Sequence, residues 1–165
     1  MDLKDETLIE RAEHEIAVSE LLDKLSGDIS ERTTLNISLG TTFYSAVISH
    51  AYYAIFYSAK YYLLSKNMKI LEQGQHNFVY QKFKKLAKTG ELDKELLEIY
   101  EDAKIKAETL LLILEDEGEK RTEYTYKTYP QANKEPAEKS IENAKFFVSN
   151  IREIVKLKKS SKSNL

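Results

Sequence analysis

Ser49-His50-Ala51-Tyr52-Tyr53-Ala54-Ile55-Phe56-Tyr57-Ser58-Ala59-Lys60-Tyr61-Tyr62-Leu63-Leu64 is the stretch on which the fold turns. It contains five tyrosines and a phenylalanine, and small residues at Ala51, Ala54, Ser58 and Ala59 alternate with those rings. No glycine or proline interrupts it, so it reads as the second half of a long helix. Large rings beside small residues let other helices approach closely on several sides, which makes this the central helix of a bundle.

The rest of the chain agrees. It has 165 residues, 42% of them hydrophobic, enough for one compact core, with only 5 glycines and 2 prolines. The expectation is an all-α fold, an up-and-down bundle of four to five helices forming a single domain over residues 1–155, with 156–165 as a basic flexible tail. The first helix covers 3–25 and ends at Gly27. A polar connection, 28–38, precedes the central helix, which Ser38 caps and which runs to about residue 66. A third helix spans 75–88 and closes at Thr89-Gly90. Asp93 caps a fourth, with Leu92 and Leu97 as a hydrophobic staple, running to at least Glu117. Asn133 caps a fifth, whose first turn tolerates Pro136. Its residues Ala137, Ile141, Ala144, Val148, Ile151 and Val155 recur at spacings of four and three, a core-facing seam.

Composition narrows the function classes. A formal charge of −2 gives no global attraction to nucleic acid, so any such contact needs a local patch. With no cysteine there is no disulfide, thiolate metal site or thiol nucleophile, which suits a reducing, cytoplasmic setting. The acidic and lysine-bearing opening lacks the apolar core of a signal peptide. Residues 33–59 carry no formal charge, but their Ser, Thr, Asn, Tyr and His content argues against a membrane span.

Glycine-rich phosphate loops, His-Glu-x-x-His, calcium loops and nucleophile elbows are all missing. The three histidines, His14, His50 and His76, lie on different helices, and neither a metal nor another cofactor is expected. Glu10, Glu13 and His14 share a helix on a charge-rich, solvated stretch. His50, mid-helix among apolar neighbours, is read either as a core histidine bonded to a neighbouring helix or as a proton-transfer group. His76, at a helix start, is expected to be neutral, because the positive helix end disfavours an imidazolium. Arg121 precedes Tyr124, Tyr126 and Tyr129. It is either the partner of Glu117 in a surface ion pair or a phosphate-binding arginine with a tyrosine for stacking or hydrogen bonding.

Four stretches in this order resemble the HEPN domain family of prokaryotic helical bundles: Ser-x-Ala-Tyr-Tyr-Ala-x-Phe at 49–56, His-x-x-Val-x-x-x-Phe at 76–83, Thr-Gly-x-Leu-Asp at 89–93 and Arg-x-Glu-Tyr at 121–124. The pattern at 137–147 fits as well. The resemblance implies a homodimer with a composite groove between protomers, lined by the arginine motif. It also implies a possible minimal nucleotidyltransferase partner. In family members that are ribonucleases, a histidine follows the arginine after four to six residues.

Here no histidine follows Arg121 anywhere in the chain. Metal-independent RNA cleavage requires a group to take the 2′-hydroxyl proton and another to protonate the leaving oxygen, and a tyrosine with a pKa near 10 is a poor base. The leading expectation is therefore a homodimeric module, without standard HEPN ribonuclease activity, that binds a nucleotide, RNA or a nucleotidyltransferase through Arg121, Tyr124 and Tyr126. It would belong to a toxin–antitoxin-like or stress and defence system. The alternative is a divergent metal-independent endoribonuclease toxin using Arg121 with Glu123, His50 or His76. The resemblance also makes Tyr124, Tyr126 and Tyr129 candidate acceptors of AMP from such a partner.

Overall fold

A computed structural model describes residues 3–119 and 133–162. It contains α1 (Leu3–Gly27), α2 (Ile29–Thr34), α3 (Tyr44–Ser65), α4 (Gln75–Lys88), α5 (Lys94–Glu119) and α6 (Lys134–Lys162), and no strand among the described residues. The all-α expectation holds: five long helices form the bundle, and α2 is a short addition.

α3 is the hub, packed against α1, α4, α5 and α6. The alternation of small and large residues explains how. Ala51, Ala54, Ser58 and Ala59 are fully buried and let neighbouring backbones close in, while Ile55, Phe56, Tyr61, Tyr62 and Leu63 fill the space between helices. Rings from four helices meet in one knot. Phe83 of α4 lies 5.5 Å from Tyr100 of α5, 5.3 Å from Phe147 of α6 and 6.2 Å from Tyr62 of α3, mostly edge-on. Such pairs add about 0.5–1.5 kcal/mol beyond the area they bury.

α1 runs antiparallel to both α3 and α6. The α1–α6 seam carries three ion pairs at heptad spacing: Glu20 with Lys145, Glu13 with Arg152 and Glu6 with Lys159. These pairs are roughly half-exposed, so they set register more than they stabilise. The seam expected on α6 is buried throughout, from Ala137 to Val155.

Three expectations are corrected. The connection after Gly27 is not wholly irregular. Asp28 caps α2 by accepting from Ser30 N (2.8 Å) and Glu31 N (3.2 Å), and the buried Arg32 folds back to donate to the carbonyls of Leu25 (2.7 Å) and Ser26. A cation on those carbonyls satisfies the end of α1 and answers its dipole. Ser38 does not cap the central helix, which starts at Tyr44 after Phe43. The anchor is instead Ser26, whose Oγ accepts from Phe43 N at 2.7 Å. The segment 156–165, expected to be a flexible tail, continues α6 to Lys162. Val155 is buried, Lys158 donates to the Tyr62 hydroxyl at 3.0 Å, and Lys159 reaches Glu6.

The bounds of α4 match the expectation. Gly90, at φ 80°, closes it with Glu91 N donating to Leu86 O at 3.0 Å. Ala54→Leu tests the hub directly. With no room at a 0% exposed position, the extra methylenes should cost about 1–3 kcal/mol in urea unfolding, whereas Lys69→Leu at an exposed position should be nearly neutral.

Candidate ligand-binding face

α3 is covered by α1, α4, α5 and α6, and beyond its first turn and before its last residue it shows solvent along one stripe: Ser49, His50, Tyr53, Tyr57, Lys60 and Leu64, at helical spacings of three and four. Tyr53 is 40% exposed and Tyr57 partly so, and their rings stack at 6.4 Å. On the α1 side the Arg11 guanidinium lies 5.6 Å from the centre of the Tyr57 ring. Across the stripe, at the start of α4, stands His76.

His50 is held by a residue that the periodicity of α1 does not reveal. Glu15 falls in the buried register of α1 between Ala12 and Ser19, and its side chain is only 7% exposed. One carboxylate oxygen accepts from Arg11 Nε at 2.8 Å and the other meets His50 Nδ1 at 2.6 Å. A carboxylate paired with Arg11 only accepts, so the His50 proton sits on Nδ1. Nε2 is then the ring's remaining polar atom, on a side chain 35% exposed. Of the two readings of His50, the hydrogen bond to a neighbouring helix is present, and the ring also reaches the surface. Ser19 and Ser26 complete the polar set in the seam, with Ser19 Oγ donating to Val47 O at 3.1 Å.

His76 is placed otherwise. Its ring stacks on Phe56 at 4.0 Å with an angle of 16°, meets Tyr53 edge-on at 5.9 Å, and pairs through Nδ1 with the Tyr52 hydroxyl at 2.9 Å. Burial first, then the positive charge of Lys60, holds its pKa below the ordinary value. Burial pushes Tyr52 up to about 12, with Glu108 and Tyr53 adding to the rise, so the hydroxyl keeps its proton and donates it to Nδ1. Phe56, Tyr57, Lys60, Glu72 and His76 border a shallow depression here, in which Lys60 Nζ donates to Gln75 Oε1 at 2.9 Å.

The structure thus brings His50 and His76 to opposite sides of Tyr53. Arg121, Glu123, Tyr124, Tyr126 and Tyr129 lie outside the described residues. Among the described residues, no group of three or more His, Asp and Glu side chains is placed to hold a metal ion, and no helix is long and apolar enough to cross a membrane. The uncharged run 33–59 is divided between the end of α2, the connection that follows it and most of α3.

A single helical bundle whose central helix leaves one aromatic, cation-flanked stripe open is the class these features define. A model of the HEPN domain matches residues 30–159, and the chain belongs to the HEPN domain family. Comparison with curated proteins and with solved structures finds no match. Within the matched stretch lie His50, Tyr53, Tyr57 and His76, while Arg11 and Glu15 precede it.

The lowered pKa of His76 has a measurable consequence. The unfolded chain takes up this proton near pH 6.5, before the folded chain does, so the contribution of His76 to stability falls as pH drops from there through the lower folded value. Ring-nitrogen NMR should find His76 with its proton on Nε2 at neutral pH, titrating below 6.5. His76→Gln should lose less melting temperature than the unaltered chain between about pH 7 and pH 5.

Proposed function

We propose that this HEPN-domain chain is a homodimeric binding module for a nucleotide, RNA or a minimal nucleotidyltransferase, serving a toxin–antitoxin-like or defence system in the cytoplasm without standard HEPN ribonuclease activity. The open α3 stripe carries this reading. It offers rings for stacking and cations for phosphate on a central helix whose other aromatic rings are mostly buried. The sequence around Arg121 adds a second cation with Tyr124 and Tyr126 beside it, and the absence of a following histidine removes the usual proton-transfer partner. Tyr124, Tyr126 and Tyr129 remain the tyrosines to examine for AMP transfer by such a partner.

One observation favours an endoribonuclease that uses Arg121 with Glu123, His50 or His76. A buried carboxylate fixes His50 with Nε2 available, the arrangement a general base requires. His76, depressed and tied to Tyr52, is less suited to hold a proton near pH 7.

Incubation with mixed RNA in EDTA separates the two. A binding module leaves the RNA intact and shows saturable binding that Arg121→Ala weakens by tenfold or more, on the order of 1.4 kcal/mol. Cleavage that Arg121→Ala or His50→Ala abolishes establishes the ribonuclease instead. Sedimentation should give twice the 19.1 kDa chain mass, and a monomer at micromolar concentration would remove the dimer from the proposal.

A further inference from the structure

We infer that the depression between the end of α3 and the last turns of α6 is a site for a small phosphate dianion, inorganic phosphate or a phosphate monoester, held by Lys66, Lys158 and Lys159. This site lies outside the proposed function and stands independently of it. Ser65, on its wall, is about four turns beyond His50, roughly 22 Å along the helix axis, so the site is remote from the α3 stripe.

The wall comes from two helix ends. In α6, Val155, Lys158 and Lys159 recur at spacings of three and four, with Val155 buried and both lysines on the cavity. α3 stops at Lys66, and Asn67 takes a left-handed φ of 58° that turns the chain away. The space enclosed is about 400 Å³, and among the described residues no acid lines it.

The cations are only partly answered. Lys66 pairs with Glu91 and Lys159 with Glu6, acids that stand outside the wall. Lys158 differs. Its Nζ donates to the Tyr62 hydroxyl at 3.0 Å and stands 4.8 Å from the centre of that fully buried ring, and no carboxylate among the described residues lies within ion-pair distance of it. The contact fixes the ammonium while using one of its three donors. Glu91 is held below the ordinary carboxylate range first by its bond to Lys66, and the charges of Lys66 and Lys158 both add to that. Three cations therefore share two carboxylates.

Helix C-termini repel anions when their carbonyls are open. Here they are occupied. At the end of α3, Lys66 N donates to Leu63 O at 3.1 Å, Asn67 N to Leu64 O at 2.8 Å and Ser65 Oγ to Tyr62 O at 2.6 Å, while on α6 Ser161 Oγ donates to Leu157 O at 3.0 Å. What faces the cavity is then dominated by ammonium groups, the partners of a charged oxyanion. A monoester or free phosphate offers them two charges, whereas a diester offers one.

The test is equilibrium dialysis of the full chain against radiolabelled methyl phosphate and, separately, dimethyl phosphate at constant ionic strength. Methyl phosphate should bind saturably, one per chain, and inorganic phosphate should displace it. Dimethyl phosphate should not bind. Affinity should rise between about pH 5 and pH 7.5, because a monoester loses its second proton near pH 6 while Lys66 and Lys159, raised by their bonds to Glu91 and Glu6, stay charged. Lys158→Met should weaken binding about tenfold or more, the loss of a charge-assisted hydrogen bond, and Lys158→Arg should recover most of it. Lys139→Met, at the exposed start of α6, should change nothing. Thermal melting checks the fold of each variant, and methyl phosphate should raise the melting temperature of the unaltered chain but not of Lys158→Met. Should Lys158→Met fail to fold, the double variant Lys66→Gln with Lys159→Gln carries the same expectation.

Equal binding of the two esters would reduce the site to general charge attraction and overturn the assignment. So would the absence of saturable binding by the unaltered chain, or binding that survives both Lys158→Met and the double variant. None of these results bears on Arg121 or on the α3 stripe.

Discussion

The burial of α3 on three sides is the constraint on which everything else depends. A helix whose rings and methyls are shared among four neighbours contributes about 1.5–3 kcal/mol for each large apolar side chain that it hides. Tyr62 and Leu63 are fully enclosed, as are Phe83, Tyr100 and Phe147 on the helices around them. Close approach depends on Ala51, Ala54, Ser58 and Ala59, because any larger side chain at those positions would push a neighbouring helix away. The same enclosure limits what α3 can show to solvent. Whatever α3 recognises must be met through the narrow stripe around Tyr53, with the start of α4 on one side and α1 on the other.

The α1 wall of that stripe is unusual in what it buries. An apolar seam would have held α1 against α3 more simply, since removing a carboxylate from water costs several kcal/mol that an ion pair often only offsets. Instead Glu15, Ser19 and Ser26 occupy the buried register, each with a specific bond: to Arg11 and His50, to the carbonyl of Val47, and to the amide of Phe43. These contacts tie three turns of α1 to the first two turns of α3 and to Phe43 just before it. Their effect is to fix the sliding position of the two helices, and that position decides which way the His50 ring faces.

How much of this is legible in the sequence follows from the same physics. Apolar periodicity and glycine punctuation locate the five long helices, and the bounds of α4 and the buried seam of α6 agree with the reading. The misses occur where polar groups carry the structure. Asp28 and Arg32 build α2 from side-chain bonds to backbone atoms within a Ser- and Thr-rich stretch that has no apolar period to betray it. Lys158 and Lys159 look like a solvated tail until the Tyr62 hydroxyl and Glu6 are seen opposite them. Glu15 is hidden for a related reason. Its position, three after Ala12 and four before Ser19, lies in the buried phase, but its charge argues for solvent. That conflict between phase and charge was the available signal. The functional role of Arg121 rests on sequence alone, because its segment lies outside the described residues.

The matched family stretch begins after α1, yet α1 supplies Arg11 and Glu15 to the face on which His50 and Tyr53 stand. The histidine of α3 is therefore oriented by a helix that the family pattern does not cover. In this chain the segment after Arg121 lacks the histidine that ribonuclease relatives pair with the arginine, while a different histidine is held by a buried carboxylate on the bundle surface.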